Sequence, residues 1–149
     1  MYTRINLSKS SYKVTLDWRW QDLWTTPDIP SLNSIYQQYC AHKKFESVVP
    51  IFYNEYVDND VIGYYHNKEL VAFSIMRVLD DSNVEAVQFA WDYKNPELKL
   101  GIESLQNECA IFKGMGFKYI HLGEAQEYFK QFDGYEELGP DGQPTLLDR

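Results

Sequence analysis

The pattern of apolar and polar positions begins with an alternation near the amino terminus. Polar and apolar side chains alternate from Lys13 to Trp20, which predicts the first strand of the chain. Its apolar face holds Val14, Leu16, Trp18 and Trp20. Two prolines between residues 22 and 30 then predict a connection.

A helical period follows this connection. Ser31 is a good capping residue, and after it apolar side chains recur every three or four positions. These side chains are Leu32, Ile35, Tyr36, Tyr39 and Cys40. The stripe predicts one buried helix face. From Lys43 to Asp60 the pattern is mixed and Pro50 interrupts it, so we expect an irregular segment there.

Three runs of apolar, β-branched and aromatic residues occupy the middle of the chain. They cover Val61 to His66, Leu70 to Leu79 and Val84 to Asp92. The stretches between them are short and polar, and they are typical of tight turns. Short connections of this kind predict an antiparallel meander.

A helix with its own start signal follows the third run. Asn95, Pro96 and Glu97 form a turn typical of a helix start, and the helix itself is predicted from Ile102 to Lys113. Tyr119 to Leu122 then predicts a short strand. Two strands joined through a helix are almost always parallel and right-handed. We therefore expect this strand to be a parallel neighbour of the strand Val84 to Asp92.

The carboxyl-terminal part contains two short elements and a tail. Ala125 to Phe132 predicts a short amphipathic helix, Gly134 to Leu138 a last strand, and residues 141–149 a loose tail. With 149 residues, of which 44% are hydrophobic, the chain can bury a core of its own. We expect residues 1–149 to form a single domain.

The composition of the chain limits the classes of partner that we expect it to bind. The formal net charge of -8 weakens attraction to phosphate backbones and to anionic membranes, so nucleic acid is a poor first expectation. No apolar run reaches the ~20 residues of a membrane span, and the amino terminus lacks a signal-peptide core, which favours a cytoplasmic protein. Cys40 and Cys109 have no metal-ligand spacing, so we expect two buried thiols and no metal.

The order of elements and four motifs resemble a known family. The motifs are Trp91-Asp92, Leu98-Lys99-Leu100-Gly101, the helix Ile102 to Lys113, and Tyr119-Ile120-His121-Leu122-Gly123. A meander feeding a βαβ crossover resembles the GNAT (Gcn5-related N-acetyltransferase) fold. The motifs are similar to those of the carboxyl-terminal half of the arginyl-tRNA protein transferases. The resemblance implies an α/β fold with a mixed sheet, helices on both faces, and transfer of an acyl group to an amine.

The resemblance also implies where the acyl donor binds. The donor is acyl-coenzyme A or aminoacyl-tRNA, and the residues at its site are Ala90, Trp91, Lys99, Leu100, Gly101, Ile102, Glu103 and Ser104. Gly101 would let a ligand approach the unpaired N–H groups of the first helical turn; alternatively, it serves only close helix packing. Coenzyme A enzymes of this fold carry Gln or Arg, two residues, Gly, one residue, then Gly or Ala. Here Leu98, Gly101 and Glu103 take those places, and a carboxylate at Glu103 weakens the expectation of coenzyme A.

Three residues are candidates for the catalytic chemistry. Asp92 would act as a base or orient the amine, or it only caps backbone N–H groups of the turn. His121 is a candidate base or a hydrogen-bonded core residue. The family's general acid is a tyrosine in the helix after the parallel strand; Phe129 takes that position here, and Tyr128 is the nearest candidate. The rival function is a catalytically silent GNAT-fold module that binds a ligand or a protein.

Overall fold

The computed structural model describes residues 2–21, 29–44 and 59–144, and these form a mixed α/β structure. The strands are β1 (Tyr2–Asn6), β2 (Asp17–Gln21), β3 (Asp60–His66), β4 (Glu69–Val78), β5 (Asn83–Trp91), β6 (Tyr119–Glu124) and β7 (Tyr135–Leu138). The α-helices are α1 (Ile29–Lys43) and α2 (Leu100–Gly114).

One sheet contains the seven strands, in the order β2-β3-β4-β5-β6-β1-β7. β3 pairs antiparallel with β2 and β4, and β1 pairs antiparallel with β6 and β7. β5 pairs parallel with β6, so that Asn83 lies opposite Tyr119 and Glu85 opposite His121. The predicted βαβ unit and the GNAT-like mixed sheet are therefore confirmed.

The prediction for the first strand is wrong in two ways. The strand predicted from Lys13 begins only at Asp17, and Val14 and Trp20 are 46% and 43% exposed rather than buried on one face. β2 is the last strand in the sheet order and pairs with β3, so alternation alone does not bury its side chains. The first strand of the chain is instead β1, whose pairing partners lie more than 110 residues away along the chain.

The helices and the meander agree with their patterns, apart from their ends. α1 begins at Ile29, before the expected cap at Ser31. Pro30 is tolerated there because the first-turn N–H groups have no helical acceptor. Of the predicted irregular segment, residues 45–58 lie outside the described residues. The three strands of the meander, α2, β6 and β7 are confirmed, and the short helix near the carboxyl terminus is a 3₁₀ helix, Glu127–Gln131.

The chain divides into two compact units. The central unit contains Thr15–Arg77 and Val87–Leu105, and the terminal unit contains Met1–Val14, Val78–Ala86 and Gln106–Arg149. That residues 1–149 form a single domain stays a prediction. Within the described ranges, no helix combines the length and the apolar character needed to cross a membrane.

In the central unit, α1 packs on one face of the meander. Its buried side chains Leu32 and Ile35 belong to one apolar cluster with Val61, Phe73, Ile75 and Ala90. Tyr64 is at an alternate position of β3 relative to Val61 and therefore lies on the other face. There its hydroxyl donates to the carbonyl of Ser104, in the first turns of α2, at 3.2 Å. The two helices thus cover opposite faces of the sheet in this unit, as the resemblance implies.

The terminal unit is organised around β1. Ile5 of β1 lies opposite Ile120 of β6 and Tyr135 of β7, and all three are buried. Burying one such aliphatic side chain contributes about 1.5–3 kcal/mol. Of the predicted tail, residues 141–144 form a turn in which Pro144 bridges to Leu138, and residues 145–149 lie outside the described residues.

Candidate functional site

Asp92 directly follows β5 in the central unit and is buried, with 7% of its surface exposed. The position of Asp92 after a strand and before a turn predicts a partly exposed carboxylate, and this prediction is wrong. Its N–H donates to the carbonyl of Val71 on β4 at 3.1 Å, which keeps the backbone against the neighbouring strand. Its carboxylate Oδ1 accepts the N–H of Lys94 at 3.0 Å. The observed contact of the carboxylate is that of a turn cap, one of the two roles expected; the role as a base stays a prediction.

The first turn of α2 uses some of its N–H groups and leaves others without a helical acceptor. Lys99 adopts a left-handed conformation, with φ 50°, and its N–H donates to Pro96. Ile102 and Glu103 both donate to the carbonyl of Lys99, at 3.0 and 2.9 Å. The N–H groups of Leu100 and Gly101 precede these donors and have no acceptor within the helix.

The side chains of this turn divide into core and surface. Ala90, Leu100 and Ser104 are buried, whereas Lys99 is exposed and Gly101, Ile102 and Glu103 are partly exposed. A Cβ added at Gly101 would meet nothing within 4 Å. Close helix packing therefore does not require glycine here, and the space beside the backbone is open to a ligand.

Glu103 is held at the start of α2. Its carboxylate Oε2 accepts the hydroxyl proton of Thr15 at 2.9 Å. A negative charge at this end of a helix is favourable to the helix itself, because it faces the positive end of the helix dipole. The same charge disfavours a phosphate at the same place, as the sequence indicated.

An aromatic cluster surrounds Tyr93, the residue after Asp92. The Tyr93 ring stacks on His42 with centroids 3.6 Å apart and an interplanar angle of 17°. The Trp91 ring lies 4.1 Å away at 33°, and the Tyr39 ring 6.1 Å away at 18°. Burial, and secondly Tyr39, raise the pKa of Tyr93, so its phenol stays protonated at neutral pH. Tyr93 was not among the expected site residues.

His121 of the terminal unit occupies a polar row across the sheet. It lies opposite Glu85 on β5 and Arg4 on β1, and Arg4 in turn binds Glu136 through its Nε at 2.9 Å. Burial, and secondly Arg4, lower the pKa of His121, while Glu85 and Asp80 act in the opposite direction. The imidazole is therefore neutral at neutral pH.

The tautomer of His121 follows from its partner. Its Nε2 lies 2.7 Å from Oδ1 of Asn83, and the amide nitrogen of Asn83 donates to both carboxylate oxygens of Asp80. Because Asp80 only accepts, the Asn83 oxygen faces His121 and Nε2 carries the proton. Nδ1 is then the basic nitrogen. Among the described residues it has no hydrogen-bond partner, and it is buried.

The region of the expected general acid contains two aromatic residues in different surroundings. Phe129, at the family position, is 7% exposed, and it has no hydroxyl. Tyr128 is 45% exposed, and its ring lies 4.5 Å from that of Phe129. His121 and Tyr128 belong to the terminal unit, whereas Asp92 and the whole expected donor site, Ala90 to Ser104, belong to the central unit.

A cavity of about 370 Å³ lies in the terminal unit. It is lined by Lys9, Lys130, Gln131, Phe132, Asp133, Gly134 and Tyr135. Both lysines of this cavity already face carboxylates: Lys9 Nζ lies 3.8 Å from Glu136 Oε2, and Lys130 Nζ lies 3.1 Å from Glu127 Oε2. Across the described part of the chain, no group of three or more His, Cys, Asp or Glu side chains is placed to hold a metal ion.

Sequence reasoning missed Tyr93 and Asn83 because their contacts join distant segments. Tyr93 follows a strand-ending aromatic-Asp pair, but its left-handed backbone and its stacking on α1 have no local signal. Asn83 sits in a polar turn, where an amide is ordinary, and β5–β6 pairing alone brings it to His121.

Comparison with known families identifies one match. The family described as "Arginine-tRNA-protein transferase, C terminus" matches residues 20–132, more than half of the chain. No curated protein sequence matches significantly.

Solved structures with the same architecture share little sequence with this chain. L-PGS from Bacillus licheniformis superposes with a TM-score of 0.61 at 11% identity, over 83% of this chain and 46% of that one. A GCN5-related N-acetyltransferase from Kribbella flavida superposes with a TM-score of 0.56 at 14% identity, over 91% of this chain and 52% of that one. Saccharomyces cerevisiae N-myristoyltransferase with bound myristoyl-CoA superposes with a TM-score of 0.57 at 12% identity, over 97% of this chain and 51% of that one. These likenesses establish the fold alone, and this chain spans about half the length of each of these proteins.

Proposed function

Because this chain belongs to the family of arginine-tRNA-protein transferase C-terminal domains, we propose that it transfers an acyl or aminoacyl group from an activated donor to an amine. The donor is an aminoacyl-tRNA or an acyl-coenzyme A, and the acceptor is an amine of a small molecule, peptide or protein. A cytoplasmic location and the absence of a metal are part of this proposal.

The observation that carries the proposal is the start of α2. β5 ends at Trp91, a hydrogen-bonded turn follows, and the first helical turn combines donor N–H groups at Leu100 and Gly101 with open space beside Gly101. Helix starts of this kind hold the negatively charged oxygens of ligands. We propose that Trp91, Lys99, Gly101, Ile102 and Glu103 contact the donor, since they reach the surface, and that the buried Ala90, Leu100 and Ser104 support them.

The proposed catalytic residues are Asp92, His121 and Tyr128. Acyl transfer needs an amine without its extra proton, a polarised carbonyl and a protonated leaving group. Asp92, directly after β5, would orient or deprotonate the amine. His121 would accept a proton at Nδ1, and Tyr128, which is 45% exposed, has the hydroxyl nearest in sequence to Phe129.

The test is transfer by the full chain, measured with acetyl-coenzyme A and a panel of aminoacyl-tRNAs as donors and model peptides as acceptors. Gly101→Leu places a side chain in the open space and should abolish donor binding while the protein still folds. Gly114→Leu is a matched control, because its Cβ also meets nothing within 4 Å and it lies at the other end of α2. Equal donor affinity in both variants would rule out this site.

A catalytically silent binding module is the second candidate. Phe129, buried and without a hydroxyl at the family's acid position, favours it, as does the carboxylate of Glu103 at the helix start. In the same assay this function would give donor binding that Gly101→Leu removes, with no transfer to any amine. Turnover above the uncatalysed rate would exclude it.

A further inference from the structure

The backbone of Tyr93 is strained. Its φ of 62° lies in the left-handed region, which costs free energy for a residue with a large side chain. The turn enforces this conformation, since Asp92 accepts the N–H of Lys94 and so spans Tyr93. Such strain persists only where the surrounding structure imposes it, and it is common at functional sites.

The ring of Tyr93 is held in place by its neighbours. His42 of α1 stacks on it with a 3.6 Å centroid separation, and the Trp91 ring lies 4.1 Å away. These contacts join the end of β5 to α1 within the central unit. Packing therefore determines the direction of the ring and of its hydroxyl.

The hydroxyl of Tyr93 is buried and, among the described residues, no group makes a hydrogen bond of good geometry with it. The Trp91 side chain is close enough to oppose the rise in the Tyr93 pKa, but its N–H does not reach hydrogen-bond geometry with the phenol oxygen. A buried hydroxyl without a partner is costly, and native proteins contain few of them.

We propose that Tyr93 is a catalytic residue of the transfer reaction, and that its hydroxyl donates a proton to the leaving oxygen of an ester donor such as an aminoacyl-tRNA. This inference rests on the proposed function. The residue lies one position after Asp92 and at the entrance to the turn that leads to Gly101, within the same unit as the proposed donor site. It supplies the hydroxyl that Phe129, at the family position, lacks.

The proton balance of the step is complete. The amine nitrogen forms a bond to the acyl carbon and becomes positively charged, and the bond from that carbon to the ester oxygen then breaks. The oxygen keeps the electron pair and takes the proton of Tyr93. The phenolate recovers a proton from the ammonium nitrogen, so that one amide and one alcohol leave.

The leaving group decides which donor needs this residue. A sugar hydroxyl leaves as a strongly basic alkoxide, which a phenol can protonate. A thiol has a pKa of about 8.5, so its thiolate leaves without help from an acid. A phenol with a raised pKa therefore accelerates transfer from a thioester little. Tyr93 therefore fits an oxygen ester better than acyl-coenzyme A.

The experiment compares Tyr93→Phe with Tyr39→Phe, which removes the neighbouring hydroxyl of the same cluster. Each variant is assayed for transfer from aminoacyl-tRNAs and from acetyl-coenzyme A, and its Tm is measured. For Tyr93→Phe we expect a Tm equal to or above that of the wild type, because the hydroxyl removed has no hydrogen-bond partner among the described residues. We expect kcat with an ester donor to be about 100-fold lower. Tyr39→Phe should keep its kcat, and in Tyr93→Phe any turnover of a thioester donor should fall much less than turnover of an ester donor.

Each other result overturns the inference in a distinct way. A Tyr93→Phe variant that keeps its kcat with ester donors refutes the role of Tyr93 but leaves the proposed function intact. Equal losses with ester and thioester donors, together with a lower Tm, assign Tyr93 to packing. A wild-type protein that transfers from no donor refutes the proposed function, and the role of Tyr93 with it.

Discussion

His121 Nε2 lies 2.7 Å from the Asn83 side-chain oxygen, and the Asn83 amide nitrogen lies 2.9 Å from Asp80 Oδ1. An acidic group, an amide and an imidazole are thus connected in series. The Asn83 side chain fixes the orientation of the imidazole, but because it is neutral it places no charge beside the ring. A histidine held in this way has a defined tautomer while its pKa stays low.

The first prediction concerns stability and pH. Burial, and secondly Arg4, lower the pKa of His121 below its ordinary value of 6.5. Near and below pH 6.5 the unfolded chain therefore binds a proton that the folded chain does not bind. The contribution of His121 to stability should be fully present above pH 6.5 and should decline as pH falls through the lower folded pKa.

Urea denaturation of the wild type and of His121→Gln at several pH values between about 7.5 and about 5, the range around the ordinary histidine pKa, would measure this decline. The variant should lose less stability than the wild type over the range. Asn83→Asp is the matched change, because a carboxylate beside Nε2 favours the imidazolium and should also reduce the decline. Identical slopes for the three proteins would contradict the lowered pKa.

The second prediction separates the two roles of Asp92. Asp92→Asn keeps an oxygen that can accept the Lys94 N–H, so its Tm should stay near that of the wild type. If Asp92 orients or deprotonates the amine, kcat should fall by ~100-fold or more. Asp92→Ala removes the acceptor and should cost about 0.5–2 kcal/mol of stability, by analogy with other caps. Normal turnover by Asp92→Asn would leave Asp92 as a turn cap and favour His121 as the base.

The third prediction concerns the charge at the start of α2. Glu103→Ala removes a carboxylate from the first helical turn and should strengthen binding of a phosphate-bearing donor by about 0.3–1 kcal/mol. Isothermal titration with acetyl-coenzyme A measures the change. Glu69→Ala, an exposed carboxylate at the start of β4, should leave the affinity unaltered. Unchanged or weaker binding by Glu103→Ala would place the phosphate elsewhere.

The fourth prediction concerns Gly134 in the terminal unit. Gly134 has φ +83°, and a Cβ added there would overlap the carbonyl oxygen of Asn6, whose N–H donates to Gly134 at 2.8 Å. Gly134→Ala should therefore destabilise the protein through both strain and overlap. Gly116 has φ +94° with open space around it, so Gly116→Ala carries only the strain.

Chemical denaturation of both variants would isolate the overlap. We expect Gly134→Ala to lose about 1–3 kcal/mol more than Gly116→Ala, the usual cost of forcing extra volume into a packed site. Equal losses would mean that the backbone pairing between Asn6 and Gly134 can shift to make room for a Cβ without lowering the free energy of unfolding.

Much of the fold follows from local pattern. The strands of the meander, α2 and β6 are confirmed, because each is a continuous apolar or periodic run that must bury its surface wherever it packs. The order of these runs also indicated the parallel pairing of β5 with β6, since a helical crossover permits few alternatives. The start of α2 was therefore recognisable as a candidate site before its geometry was known.

Tertiary structure alone decided the rest. β1 contains little apolar pattern and becomes a strand because β6 and β7 supply its hydrogen bonds. Asp92 is buried because β4 continues alongside it, and Tyr93 is stacked because α1 packs against the end of β5. Sequence thus determined which segments bury apolar surface, a property of neighbouring residues. Which polar groups lose water and meet a partner depends on contacts between segments far apart in the chain, and those exist only once the chain has folded.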